Sequence, residues 1–394
     1  MISNEMVKLG TKRSVIRELF EYGKKRATEI GAENVYDFSL GNPNVPAPEC
    51  VKQAILELVN DSDPTLLHGY TSAPGDLETR TAISDYINER FNTSLTPNHI
   101  YMTVGAAASL CISIKALTVP GDEFITFAPF FPEYTVFTNV MGAELKVVSV
   151  NTENFQINFE SFKQLLSPQT KGIIINSPNN PSGVVYSEET IKELTTILKE
   201  KSEEYGHPIY LISDEPYREL VYNGLKVPYL MNYYKNTLVC YSYSKSLSLP
   251  GERIGYVAVS DQMENSSEVY AAICGAGRAL GYVCAPSLFQ KVIAKCVKAT
   301  SDISTYEEHR DIIYNGLTKL GYNCIKPDGA FYLFVKALEE DANAFCEKAK
   351  KHELLLVPGD DFGCPGYVRI SYCVSKKQIL DSLPAFAELI KEYK

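Results

Sequence analysis

The sequence predicts an α/β fold: a mostly parallel sheet sandwiched by helices, with a smaller α+β domain beside it. Three observations predict it. From about residue 100, short apolar runs alternate with longer stretches of helical periodicity, the order that places crossover helices on both faces of a parallel sheet. After about residue 288 that alternation gives way to a mixture of helical patterns and two isolated strand-like runs. The chain has 394 residues, room for roughly two to three domains. A chain of this size buries about 75% of its unfolded surface, so no disulfide or metal is needed to hold it.

Taken in order, residues 14–30 read as an amphipathic helix. Val15, Ile16, Leu19, Phe20, Ala27 and Ile30 recur near helical spacing, and Gly31 stops the pattern. Residues 41–48 contain Pro43, Pro46 and Pro48, which fix φ and remove backbone donors, so the spacing predicts a loop. Strand-like runs follow at 123–128, 145–150, 171–176, 209–213, 236–242 and 255–260. Helix-like runs between them include 107–117, 188–199 and 262–272. Beyond 288 come a long helical pattern, the run Gly329-Ala330-Phe331-Tyr332-Leu333-Phe334-Val335, another helix and a strand at 367–372. The expected division is a large domain over 45–287 and a small one built from 1–44 and 288–394.

Composition narrows the function. Apolar residues are 45% and charged residues 22%, ordinary for a globular chain. Thirty-eight basic against forty-eight acidic residues give a net charge of −10, which argues against nucleic acid as a partner. The ten cysteines are scattered without a Cys-x-x-Cys pair, and the five histidines stand apart from them, so no metal site is expected. The amino terminus lacks the basic-then-apolar run of a signal peptide, and no apolar stretch approaches ~18 residues. A cytoplasmic chain with no membrane partner is the expectation.

Three polar groups follow three of the strands. Residues 177–183 read SPNNPSG, with Asn180 before Pro181; residues 214–217 read Asp-Glu-Pro-Tyr; residues 242–256 read SYSKSLSLPGERIGY. Singly, each has an ordinary reading: a turn, a helix cap, a solvated loop lysine. Jointly they put an amide, a carboxylate, a lysine and an arginine outside the carboxyl ends of strands, where open α/β sheets bind ligands, so they are expected to face one crevice.

These runs resemble the class I/II pyridoxal-phosphate-dependent aminotransferases of the aspartate aminotransferase fold type, fold type I, from about residue 14 to the end. The centre of the resemblance is Ser-x-x-Lys at 242–245 with Arg253 eight residues on. HGYTSAPGDLETR (68–80), TVGAAASL (103–110), APFFPEY (128–134), Asn-Pro-x-Gly, Asp-x-x-Tyr and PGDDFGCPGYVRIS (358–371) occur in the family's order. The resemblance implies a large domain like that of the pyridoxal-phosphate-dependent transferases, pyridoxal 5'-phosphate as cofactor, and a homodimer with shared active sites.

It also implies roles. Lys245 holds the cofactor as an internal aldimine and shuttles the proton between the substrate α-carbon and the cofactor's C4′. Asp214 keeps the pyridine nitrogen protonated, and a pyridinium is the better electron sink. Asn180 and Tyr217 hydrogen-bond the phenolic oxygen. Gly105, Ala106 and Ala107, where a helix begins, meet the phosphate together with Ser242 and Arg253, and Ser244 is a further candidate there. Phe131 stacks on the ring in place of the Trp or Tyr of many relatives; a core phenylalanine is its alternative reading. Arg369 clamps the substrate α-carboxylate, with Gly41 and Asn180 beside it. Tyr70 matches the tyrosine that reaches the neighbouring subunit's phosphate. Ala107 stands where some branches carry a lysine for a distal carboxylate. Arg278, thirty-three residues beyond Lys245, roughly matches an arginine that other branches donate across the interface. The glycines at 275, 277 and 281 predict a loop around it.

The activity implied is transfer of an amino group from an L-amino acid to a 2-oxo acid. A β-lyase acting on cystathionine or cysteine conjugates would keep the same cofactor residues, because both reactions begin with α-proton loss. A non-catalytic regulator would carry a DNA-binding domain in front of this one.

Overall fold

Seven strands form one sheet in the order Ile100–Thr103, Gly255–Val259, Thr237–Ser242, Tyr210–Asp214, Thr170–Asn176, Glu123–Phe127, Glu144–Val148. This is the arrangement in the computed structural model, which describes residues 2–11 and 15–394. Pairing is parallel except for Gly255–Val259, which runs antiparallel to both neighbours. The six expected strands lie within two residues of their predicted bounds. The strand Ile100–Thr103 adds a seventh that the spacing did not single out.

Both faces of the sheet are covered, which is why its strands read as unbroken apolar runs. Ile173, Ile175 and Leu211 pack into one cluster with Ile191, Leu194 and Leu198 of the helix Glu188–Tyr205. The alternate residues Ile174, Ile212 and Cys240 pack into another with Leu110 and Ile114 of the helix Ala106–Leu117. Side chains in a strand alternate between faces, so one run of isoleucines serves two layers. Each buried Ile or Leu contributes about 1.5–3 kcal/mol.

The helix expected over 188–199 continues to Tyr205, because its last polar turns are solvated and Gly206, at φ 73°, closes it. The helix expected over 262–272 instead spans Ser266–Ala279. Gly275 and Gly277 lie inside it, so they do not mark a loop. A Cβ on Gly277 would stand 2.1 Å from the Tyr101 hydroxyl, so glycine there serves a close approach between helix and sheet.

A second, three-stranded antiparallel sheet joins Val357–Pro358, Tyr367–Ser371 and Tyr332–Lys336 in that order. Its core gathers Phe331, Leu333, Val368 and Ile370 with Ile313, Phe345 and Phe386 of three helices. Phe38 and Val45 from the amino-terminal segment join this cluster. A parallel bridge of Tyr36–Asp37 with Leu354–Leu355 ties the same segment down. The helix Val15–Ile30 is present; residue 14, where it was expected to start, lies outside the described residues. The helix Ser287–Cys296, expected within the small unit, packs Val292 and Ile293 against Val51 and Ile87 under the large sheet. We therefore propose that the small unit begins after this helix rather than at residue 288.

Candidate active site

The topology gives one edge of the large sheet most of the chemistry. Asn176 pairs opposite Asp214, and Gly255 stands opposite both Ser242 and Thr103. The segments leaving these strands therefore emerge side by side. They carry Gly105, Asn180, Tyr217, Lys245 and, entering the antiparallel strand, Arg253.

Lys245 sits in the short helix Tyr243–Ser246, and its Nζ donates to the Gly41 carbonyl at 2.6 Å. The Phe331 ring lies 5.3 Å from the same nitrogen. Burial pulls the ammonium down to about 8, and Arg369 and Arg253 add to the effect while Cys373 opposes it. An amine so placed is deprotonated easily enough to act as nucleophile and base near neutral pH.

Asp214 is 5% exposed. Its Oδ2 accepts from the Tyr134 hydroxyl at 2.6 Å, while Oδ1 is buried without a partner. Burial pushes the carboxyl up to about 7, with Glu215 adding to it and Tyr134 opposing. Asn176 fixes the backbone here, donating from Nδ2 to the Asp214 carbonyl at 2.9 Å and accepting from the Asn180 N–H at 2.7 Å.

Arg369 is buried on the second sheet, donating to Asn180 Oδ1 at 3.0 Å and to the Ser39 carbonyl at 2.6 Å. Its Nε has no partner, and among the described residues no carboxylate pairs with it. The rings of Tyr332 and Phe362 flank the guanidinium at 4.6 and 5.1 Å. A buried cation held only by neutral oxygens is suited to an anionic ligand, and a carboxylate fits its fork.

A third corner joins Gly105, Ser242, Ser244 and Arg253. Ser242 Oγ donates to Ser244 Oγ at 2.8 Å, and Arg253 reaches Ser244 Oγ at 3.4 Å. Gly105 caps the helix Ala106–Leu117 at φ 98°, and a Cβ there would stand 2.7 Å from an Arg253 nitrogen. Helix N–H groups, hydroxyls and a guanidinium together make an anion cradle. Ala106 is half-buried and Ala107 exposed at that first turn.

Of the sequence-derived candidates, the structure thus joins Lys245 to Gly41, Arg369 to Asn180, and Ser242 and Ser244 to Arg253. Tyr217 bonds Tyr332 at 2.9 Å between hydroxyls. Phe131 is half-buried and meets Tyr134 edge-on at 5.7 Å, so it neighbours the residue that holds Asp214. Two candidates stand apart. Tyr70 is 99% exposed, and Arg278 is exposed in the last turn of a regular helix, not in the expected loop. Among the described residues, no hydrogen bond or ion pair links either to the Lys245 crevice. Sequence reasoning missed Tyr134, Asn176, Phe331 and Tyr332. Tyr134 lay inside the quoted run 128–134, and Phe331 and Tyr332 inside the run 329–335.

A half-buried lysine and a buried carboxylate at the edge of the large sheet, with a buried arginine from the small one, suit the chemistry of amino acids. The family model for aminotransferase class I and II matches residues 33–384, and the chain belongs to that family. It is an aminotransferase, exchanging an amino group between an amino acid and a 2-oxo acid. The aspartate aminotransferase of Thermotoga maritima is 30% identical over 373 residues, covering 93% of this chain and 94% of the relative. An amino transferase crystal structure from Eubacterium rectale is 62% identical, covers 100% of both chains and superposes with a TM-score of 0.98. The Thermus thermophilus aspartate aminotransferase with maleate is 25% identical, covers 99% of this chain and 100% of that one, with a TM-score of 0.86.

Proposed function

We propose that the chain works with pyridoxal 5'-phosphate held on Lys245 and transfers the amino group of an L-amino acid to a 2-oxo acid. One observation carries the reading: a buried carboxylate with an unpartnered oxygen and a buried, carboxylate-free arginine share a crevice with a lysine whose basicity is depressed. The cofactor's donor set fits these residues. A protonated pyridine nitrogen would satisfy Asp214 Oδ1, a phosphate would fill the cradle at Gly105, and a substrate carboxylate would meet Arg369.

When bound, the cofactor supplies an electron sink for the pair left on the substrate α-carbon as its proton departs. Lys245 Nζ, once freed from the cofactor, would be the group to take that proton and give it back. Asp214 would hold a proton on the ring nitrogen, which burial alone would not favour without an adjacent anion. Arg369 and Gly41 orient the substrate so that its Cα–H meets the lysine. Asn180 and Tyr217 would hydrogen-bond the phenolic oxygen.

The working unit is proposed to be a homodimer in the cytoplasm. Tyr70, at 99% exposed, precedes Thr71 in one loop, and the exposed Tyr282 and Val283 precede Cys284 in another. Cys284 Sγ reaches the Thr71 carbonyl at 3.4 Å, so the two loops form one face. Apolar groups gathered like this mark an interaction surface. Among the described residues, no helix is long and apolar enough to cross a membrane.

Borohydride reduction of the yellow protein followed by peptide mapping should fix the pyridoxyl group on Lys245; attachment elsewhere overturns the assignment. A panel of amino donors with 2-oxoglutarate should give a new amino acid. Pyruvate and thiol from cystathionine, with no amino transfer, would make it a β-lyase.

A further inference from the structure

We propose that Tyr332 is a positioning residue for Tyr217: its hydroxyl donates to the Tyr217 oxygen and so leaves the Tyr217 hydrogen for the cofactor's phenolic oxygen. The proposal rests on the reading that Tyr217 meets that oxygen.

Tyr332 opens the strand Tyr332–Lys336, opposite Ser371 and close to Arg369 on the neighbouring strand. It is 3% exposed, and one side chain touches three parts of the site. Its hydroxyl lies 2.9 Å from that of Tyr217. Its ring supports the Arg369 guanidinium at 4.6 Å. A Cβ on Gly41 would stand only 2.0 Å from the Tyr332 oxygen, so the glycine whose carbonyl takes Lys245 also makes room for this hydroxyl.

A phenol has one hydrogen to give and two lone pairs to receive with. If Tyr217 donates to Tyr332, nothing is left for a ligand. If Tyr332 donates to Tyr217, the Tyr217 hydrogen is free, and accepting a bond strengthens the bond it donates. The other charged or titratable groups facing the pair are Asp214 from the large sheet and Arg369 and Cys373 from the small one. Asp214 is engaged by Tyr134, Arg369 by Asn180 and Ser39, and the Cys373 thiol lies near the Ser371 hydroxyl and the Leu40 carbonyl. None of them supplies the donor that Tyr217 would need.

Tyr332→Phe removes one oxygen and keeps the ring beneath Arg369. The readout is the pH midpoint of the visible absorption change of the cofactor-loaded protein, recorded without substrate. A donor on the phenolic oxygen favours the state that has lost a proton, so a weaker donor moves the midpoint to higher pH. Tyr217→Phe should raise the midpoint, Tyr332→Phe should raise it by about 0.5 to 1 pH unit, and the double variant should match Tyr217→Phe alone. The KM for the amino acid should stay within about twofold in Tyr332→Phe, because Arg369 keeps its ring support. A shift in Tyr217→Phe with none in Tyr332→Phe, or shifts that add in the double variant, overturns the proposal. No shift in Tyr217→Phe overturns the reading of Tyr217 itself, and the proposal with it. If Tyr332→Phe does not fold, Tyr332→Met, which also lacks the donor, should show the same rise.

Discussion

Asp214 is where burial and charge oppose each other most directly, and its titration can be followed in the cofactor-free protein. Its carboxyl is raised from 3.8 to about 7, so between those values the folded chain holds a proton that the unfolded chain has lost. Stability therefore falls as pH rises through that window, and the full cost, on the order of 4 kcal/mol, is present above about pH 7. Asp214→Asn removes the charge and keeps the shape. In cofactor-free protein its stability advantage over the parent should grow from pH 4 to 7 and level off above, read by thermal melts across that range; a constant difference would refute the assignment. With cofactor loaded the order reverses, since Asn cannot pair with a pyridinium. Half-transamination should slow by the equivalent of ~3–5 kcal/mol, the cost of breaking a buried pair. Lys245, Asp214, Asn180 and Arg369 could be named as candidates because the runs that hold them resemble the family's motifs in order; singly they read as an ordinary turn, cap or loop. Tyr134 and Tyr332 were not legible, because their hydroxyls meet Asp214 and Tyr217 only once helix, strand and loop are packed, and no spacing announces that.

At the scale of elements, strand ends decide where the site forms, and strand ends are what apolar runs mark best. Five of the six expected strands could be placed because they are buried on both faces, while the edge strand Glu144–Val148, partly exposed, was marked by its hydrophobic residues alone. Helix bounds were less legible: polar last turns carry Glu188–Tyr205 onward, and close packing against Tyr101 lets Gly277 sit inside a helix. The cradle depends on Gly105, whose φ of 98° and tight approach to Arg253 exclude a side chain. Gly105→Ala should cost about 1–2 kcal/mol of backbone strain and weaken cofactor retention roughly tenfold, measured by equilibrium titration of the apo-protein. Unchanged affinity would place the phosphate elsewhere. Arg278 is exposed in the last turn of its helix, so its reading as a distal-carboxylate contact requires the partner subunit. Under that reading, Arg278→Ala should lower kcat/KM for aspartate and 2-oxoglutarate by the equivalent of ~1.5–3 kcal/mol while sparing alanine and aromatic donors. Equal losses for all donors would mark a structural arginine, and no loss a surface one.

The whole molecule sets two sheets against each other, with Lys245 and Asp214 from the large one and Arg369 from the small one, so the crevice exists only when both are packed. Even so, a single chain leaves Tyr70 almost fully in solvent, away from the cradle it is proposed to complete. A residue so exposed can serve a buried phosphate only if a second copy brings its own cradle to it, and a two-fold axis makes that exchange mutual. Tyr70→Ala and Lys245→Ala should each be strongly impaired alone, the first through cofactor retention and the second through proton transfer. Refolded together in equal amounts, they should form mixed dimers in half the population. Each mixed dimer holds one site lacking both side chains and one site with both, so activity should recover to about a quarter of the parent's. Light scattering on the same samples should show dimers throughout. A fully active monomer would remove the shared site, and dimers without recovered activity would place Tyr70 in the site of its own chain.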